Sequence, residues 1–171
     1  MMNRPLLCAL ALALAIFPAK AEVAVKSYSY FDIGGRTLDQ IQNELNRRGP
    51  EVKTTGLRHP GATQMKFTTR IGYAQQPGSC RIVSAQVTVK TRIILPRWRP
   101  RGKVGPDVRL FWDTLSADIK RHEERHAEIA KNHARALEDA LKATWPQKTC
   151  ATAAAKAGEI SAAILARHDK A

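Results

Sequence analysis

Between residues 65 and 95 the chain alternates apolar and polar positions in two runs. Met65, Phe67, Thr69, Ile71 and Tyr73 interleave with Lys66, Thr68, Arg70 and Gly72; after Gln75-Gln76-Pro77-Gly78-Ser79, the residues Val83, Ala85, Val87, Val89, Thr91, Ile93 and Leu95 recur at every second position. Successive side chains of a strand point to opposite faces, so a period of two marks a half-buried strand. Turn residues between two such runs predict an antiparallel hairpin. A third strand is predicted earlier, over residues 27–32 (Ser-Tyr-Ser-Tyr-Phe-Asp), broken by Gly34-Gly35.

Elsewhere the period changes to that of a helix. Thr37-Leu38-Asp39-Gln40 fits a capping box, Leu38, Ile41 and Leu45 follow at helical spacing, and Gly49-Pro50 stops the run. Residues 51–63 read as loop. Residues 107–144 contain neither Gly nor Pro and are helical throughout, with Asp107 as N-cap and Pro146 as terminator. An Ala-rich second helix follows from about residue 151 to the end. The stretch Arg97-Trp98-Arg99-Pro100-Arg101-Gly102-Lys103 is a basic connector. The order β-α-β-β-α-α predicts an α+β fold, with a small antiparallel sheet packed against the long helix and the C-terminal helix.

The first residues change the compartment. Met1-Met2-Asn3-Arg4 is a positive start, residues 6–17 are apolar, and Pro18-Ala19-Lys20-Ala21 offers an Ala-x-Ala cleavage site. This predicts a signal peptide over residues 1–21, no transmembrane segment, and a periplasmic or secreted chain of residues 22–171 forming one domain. Cys80 and Cys150 are then an even pair in an oxidising compartment, expected as a disulfide, with two buried free thiols as the alternative. The net charge is +13, and becomes +11 once Arg4 and Lys20 leave with the leader. Such a surplus favours anionic partners, while export argues against nucleic acid.

The candidate chemistry lies on the long helix, at His122-Glu123-Glu124-Arg125-His126. At 100° per residue His122, His126 and His133 fall within the stripe that holds Trp112, Leu115, Ile119, Ala130 and Leu137, and Glu123 falls at its border. Two imidazoles at i and i+4 can reach one Zn²⁺ ion, and a neighbouring carboxylate can serve as general base to a water that the ion activates. His133, about 10 Å further along, is out of reach and is expected in the core. A catalytic zinc takes a third protein ligand. If the last two helices fold back as a hairpin, equal lengths of helix bring His168 level with His126, so His168 is the expected third ligand and Glu159 the next candidate.

Several of these segments together resemble a bacterial family of predicted secreted zinc-dependent proteases. They are the leader, the Tyr-rich strand with Gly34-Gly35, Gly49-Pro50 after the first helix, Gly78-Ser79-Cys80, Leu95-Pro96-Arg97-Trp98, the His122-Glu123-x-x-His126 helix and the late Cys150. The resemblance spans nearly all of residues 22–171. It implies a zincin-like fold, Zn²⁺ held by His122 and His126, and Glu123 as catalytic acid and base. In the family's pattern an Asp, a Thr and a His-Gly stand near the C-terminus. Here Arg167-His168 matches the His, Ala163 and Ala166 stand at the Asp and Thr positions, and Asp169 replaces the Gly. The expected function is an exported zinc metallopeptidase acting on a polypeptide substrate, favoured if acidic. The alternative from a different class is a non-catalytic, disulfide-stapled envelope protein that binds an anionic partner.

Overall fold

A computed structural model describes residues 24–52, 56–100 and 102–169. The expected leader, residues 1–21, lies outside them. Five strands and three helices run in the order β1 (Ala24–Ile33), α1 (Leu38–Arg48), β2 (Glu51–Val52), β3 (Leu57–Arg58), β4 (Ala62–Gln76), β5 (Ser79–Trp98), α2 (Pro106–Lys142) and α3 (Cys150–His168). The fold is mixed α and β, with a three-stranded sheet, a two-stranded ribbon and strands preceding the two long helices.

The hairpin predicted from the period of two is β4–β5, antiparallel from Ala62↔Ile94 to Gln76↔Ser79. Gly78, at φ +72°, supplies the left-handed residue its tight turn requires. A bulge at Gly72/Tyr73 interrupts the ladder opposite Val83, which leaves Val83 exposed while Ala85, Val87, Val89, Thr91, Ile93 and Leu95 are buried.

The sheet order is β1-β5-β4, and β1 joins β5 in parallel, from Ala24↔Val89 to Ile33↔Trp98. The sheet is therefore mixed, where an antiparallel one was expected. Alternation fixes which face of a strand is buried but carries no strand direction. The long connection through α1 and β4 gives the chain room to return in parallel. A second difference lies in residues 51–63, expected as loop, where β2 and β3 pair through Glu51↔Arg58 and Val52↔Leu57.

Helix α1 is capped as its sequence implies. The Thr37 hydroxyl accepts from the Gln40 amide at 3.3 Å, whereas Gln40 Oε1 reaches one residue past the cap to the Arg36 amide at 2.8 Å. Helices α2 and α3 cover one face of the sheet, where Val87 and Val89 meet Ala134, Leu137, Leu141, Ala157 and Ile164. Each fully buried Val, Leu or Ile there contributes about 1.5–3 kcal/mol. Helix α1 closes the other end, with Ile41 and Leu45 packed on Ile33 and Trp112 and flanked by Trp98. The start of α3 is tied to the start of β5. Cys80 and Cys150 sulfurs lie 2.00 Å apart, and Cys80 exchanges two backbone hydrogen bonds with Gln147 at 2.7 and 2.8 Å.

Candidate metal centre

The buried row of α2 is Trp112, Ile119, Glu123, Ala127, Ala130, Ala134, Leu137 and Leu141, which follows the spacing of three and four that keeps one helix face inward. Glu123 belongs to this row, with 6% of its surface exposed. His122 is exposed and His126 half-buried on the adjacent flank. The arrangement reverses the expectation that the histidines face the packing and Glu123 borders it. Ala127, Ala130 and Ala134 are weakly apolar and mark the inward face only faintly in the sequence.

The imidazoles of His122 and His126 converge, their Nε2 atoms 3.1 Å apart and their rings nearly perpendicular. Two nitrogens each about 2.0–2.1 Å from one ion lie about 3.1–3.4 Å apart at near-tetrahedral angles, so the pair fits a shared Zn²⁺. Without an ion the same distance is an N–H···N hydrogen bond, which one ring donates and the other accepts.

Glu123 is held from the sheet side. Thr63, second residue of β4, lies with its Oγ1 2.8 Å from Glu123 Oε2 and 3.0 Å from the Glu123 backbone oxygen. A hydroxyl has one proton, so at any moment it donates to one of these two acceptors. Gly61 lies directly over the carboxylate: a Cβ there would stand 3.0 Å from Glu123 Oε1 and 2.8 Å from Ile119 Cγ2. Only a residue without a side chain lets β4 begin this close to α2.

Next to this pair, Glu124 lies on the β1 flank. It accepts from the Tyr28 hydroxyl and from Lys120 Nζ at 2.8 Å, with Lys26 Nζ 3.7 Å away. Lys120 first, then Tyr28, hold the Glu124 carboxyl below the usual carboxylate range. Gly61, Thr63, Tyr28 and Lys26 carry no chemical signature in sequence, and Gly61 and Thr63 fall where only a loop is predicted. Pro60-Gly61 ahead of an alternating run is the one hint of a strand entry against another element.

The expected third ligands are elsewhere. His168 packs edge-on against His133, centroids 5.4 Å apart, and against Phe67 at 5.2 Å, with its Nδ1 3.1 Å from Asp169 Oδ1. It therefore stands two turns of α2 from His126, beside the histidine expected in the core, whose own Nδ1 donates to the Ile129 carbonyl at 2.9 Å. Glu159 is exposed and paired with Lys156 at 3.0 Å. Among the described residues no group of three His, Cys, Asp or Glu forms around His122 and His126. The offset has a mechanical source. From Cys150 to His168 the helix rises about 27 Å, but from His133 to Lys142 only about 13.5 Å. The connection over residues 143–149 is tied to Cys80 by two backbone hydrogen bonds and the disulfide, and from that start α3 brings His168 to His133 rather than to His126.

These features define an α+β protein with a His-Glu-x-x-His helix buried on its glutamate side and open on its histidine side. The chain belongs to the family described as "Bacterial protein of unknown function (DUF922)", whose model matches residues 28–171. Among curated proteins and among solved structures, nothing matches the chain. No helix among the described residues is long and apolar enough to cross a membrane.

Proposed function

We propose that the protein is an exported zinc-dependent hydrolase, a peptidase by preference, with His122 and His126 as two of the metal's ligands and Glu123 as the proton-transferring group. The observation that carries this reading is the 3.1 Å convergence of two imidazole nitrogens beside a buried, anchored carboxylate. When bound, Zn²⁺ supplies a Lewis acid that polarises a carbonyl and makes water more acidic. The protein's own part is positional. Thr63 engages Glu123 Oε2 and fixes the carboxylate, the group that takes a proton from attacking water and returns it to the leaving amine. His122 and His126 hold their nitrogens together without a large rearrangement. β4 is an edge of the sheet and begins beside Glu123, which suits an extended peptide added as a further strand.

The test uses the protein purified without chelator, with zinc content and cleavage of a casein-like substrate as readouts. The expected result is one equivalent of zinc, lost in His126→Ala. Glu123→Gln should retain zinc and lose activity about 100-fold or more, the lower bound for a general acid and base. Unchanged cleavage by Glu123→Gln, or failure of the wild type to take up zinc, overturns the proposal.

A further inference from the structure

The face of the sheet turned away from α2 and α3 carries its own pattern. On β5, residues 85, 87, 89, 91 and 93 are buried, so Lys90 and Arg92 point outward; the bulge at Val83 shifts the alternation by one, so that Arg81, next to buried Cys80, shares their face, and the ladder places Lys66 opposite Lys90 and Arg70 opposite Gln86. All five cations are exposed, and none forms an ion pair among the described residues. No outward residue of β1, β4 or β5 between the levels of Arg81 and Arg92 is Asp or Glu. Five positive charges thus share this face with no acidic residue among them. Lys66 directly across from Lys90 is a like-charge pair that weakens the sheet.

The shape of the patch limits what can fit it. Eleven residues separate Arg81 from Arg92, about 35 Å of strand, while β4 and β5 together are only about 5 Å apart across the ladder. The cations form a narrow track. At one end Ser27, Gln64, Lys66, Lys90 and Arg92 line a shallow depression of about 240 Å³. Between the cations stand hydroxyls and amides, Thr68, Thr88, Gln64 and Gln86, with the exposed Val25 beside Lys90 and no aromatic side chain. Stacking on bases, which single-stranded nucleic acid requires, has no platform here. A bilayer would find neither an interfacial aromatic nor a broad plane.

We infer that this track is a docking surface for a linear anionic polysaccharide. The cations meet its acidic groups, and the Ser, Thr and Gln side chains meet its hydroxyls. Because α2 packs on the opposite face, such a polymer leaves the His122–His126 flank free. The inference therefore stands whether or not that pair binds zinc.

The experiment compares binding of polygalacturonate and heparin to the wild-type chain, to Lys66→Gln/Lys90→Gln and to Lys131→Gln/Lys156→Gln, at low and physiological salt. The second variant removes the same charge from α2 and α3, outside the track. The track variant should bind about thirtyfold more weakly, on the order expected for two cations next to a dense anionic surface, and the control less than about threefold. Thermal unfolding of the track variant should occur no lower than in the wild type, since a repulsive pair has been removed. Equal weakening in both variants would reduce the effect to net charge and overturn the inference. So would binding confined to phosphatidylglycerol vesicles or polyglutamate, with both polysaccharides ignored.

Discussion

Thr63→Val isolates the contact that fixes Glu123. Valine keeps the volume and the strand preference of threonine and removes only the hydroxyl. The hydroxyl lies 2.8 Å from a carboxylate oxygen whose residue is 6% exposed, so its loss leaves a buried charge short of a donor. Hydrogen bonds to charged groups contribute about 1.5–3 kcal/mol, and the expected destabilisation is about 2 kcal/mol. In a chain of this size that lowers the unfolding midpoint by roughly 4–8 °C. Urea denaturation at pH 7 measures it directly, with the slope unchanged if only stability has moved. A cycle with Glu123→Gln adds a sharper criterion. Against the neutral amide the same Thr63→Val change should cost only about 1 kcal/mol, the value of an uncharged hydrogen bond, giving a coupling of about 1 kcal/mol. A cost under about 0.5 kcal/mol in the Glu123 background, or equal costs in both, would refute the contact as described.

Gly61→Ala inserts a methyl 2.8 Å from Ile119 Cγ2 and 3.0 Å from the Glu123 side chain, so strand and helix must part; a loss of about 1–3 kcal/mol is expected in the same urea assay, and wild-type stability would be the contrary result. Replacing Cys80 and Cys150 by Ala should cost about 2–5 kcal/mol, read as a lower denaturation midpoint that the wild type reproduces only under reductant. Glu124 is held below the usual carboxylate range by Lys120 and Tyr28, so its ionised form stabilises the fold above the unfolded pKa, and this contribution disappears as pH falls through the folded value. Glu124→Gln should therefore be less stable than wild type at pH 7, by under about 1 kcal/mol, with the gap closing between about pH 5 and pH 3. A gap that widens on acidification would contradict the sign.

The hairpin, the cap at Thr37 and the long helix were legible because each is written in local periodicity or in one residue's hydrogen bond. What escaped was relational. The parallel return of β1 to β5 leaves no mark on either strand. Glu123 continues the buried series Ile119, Glu123, Ala127, Ala130, but a carboxylate among alanines is a poor signal of burial until Thr63 and Gly61 are seen across from it. Helix rise alone brings His168 level with His126; the anchor at Cys80, which fixes the start of α3, leaves it beside His133 instead.

The link between Cys80 and Cys150 closes a loop with a sequence separation of 70, and α2 lies wholly inside it. A cut anywhere in that loop, self-inflicted or foreign, yields two fragments that still travel as one particle under native and non-reducing conditions. The histidine pair and the β4 edge would stay attached to each other after such damage. Nicked molecules would show their break only on a reducing gel.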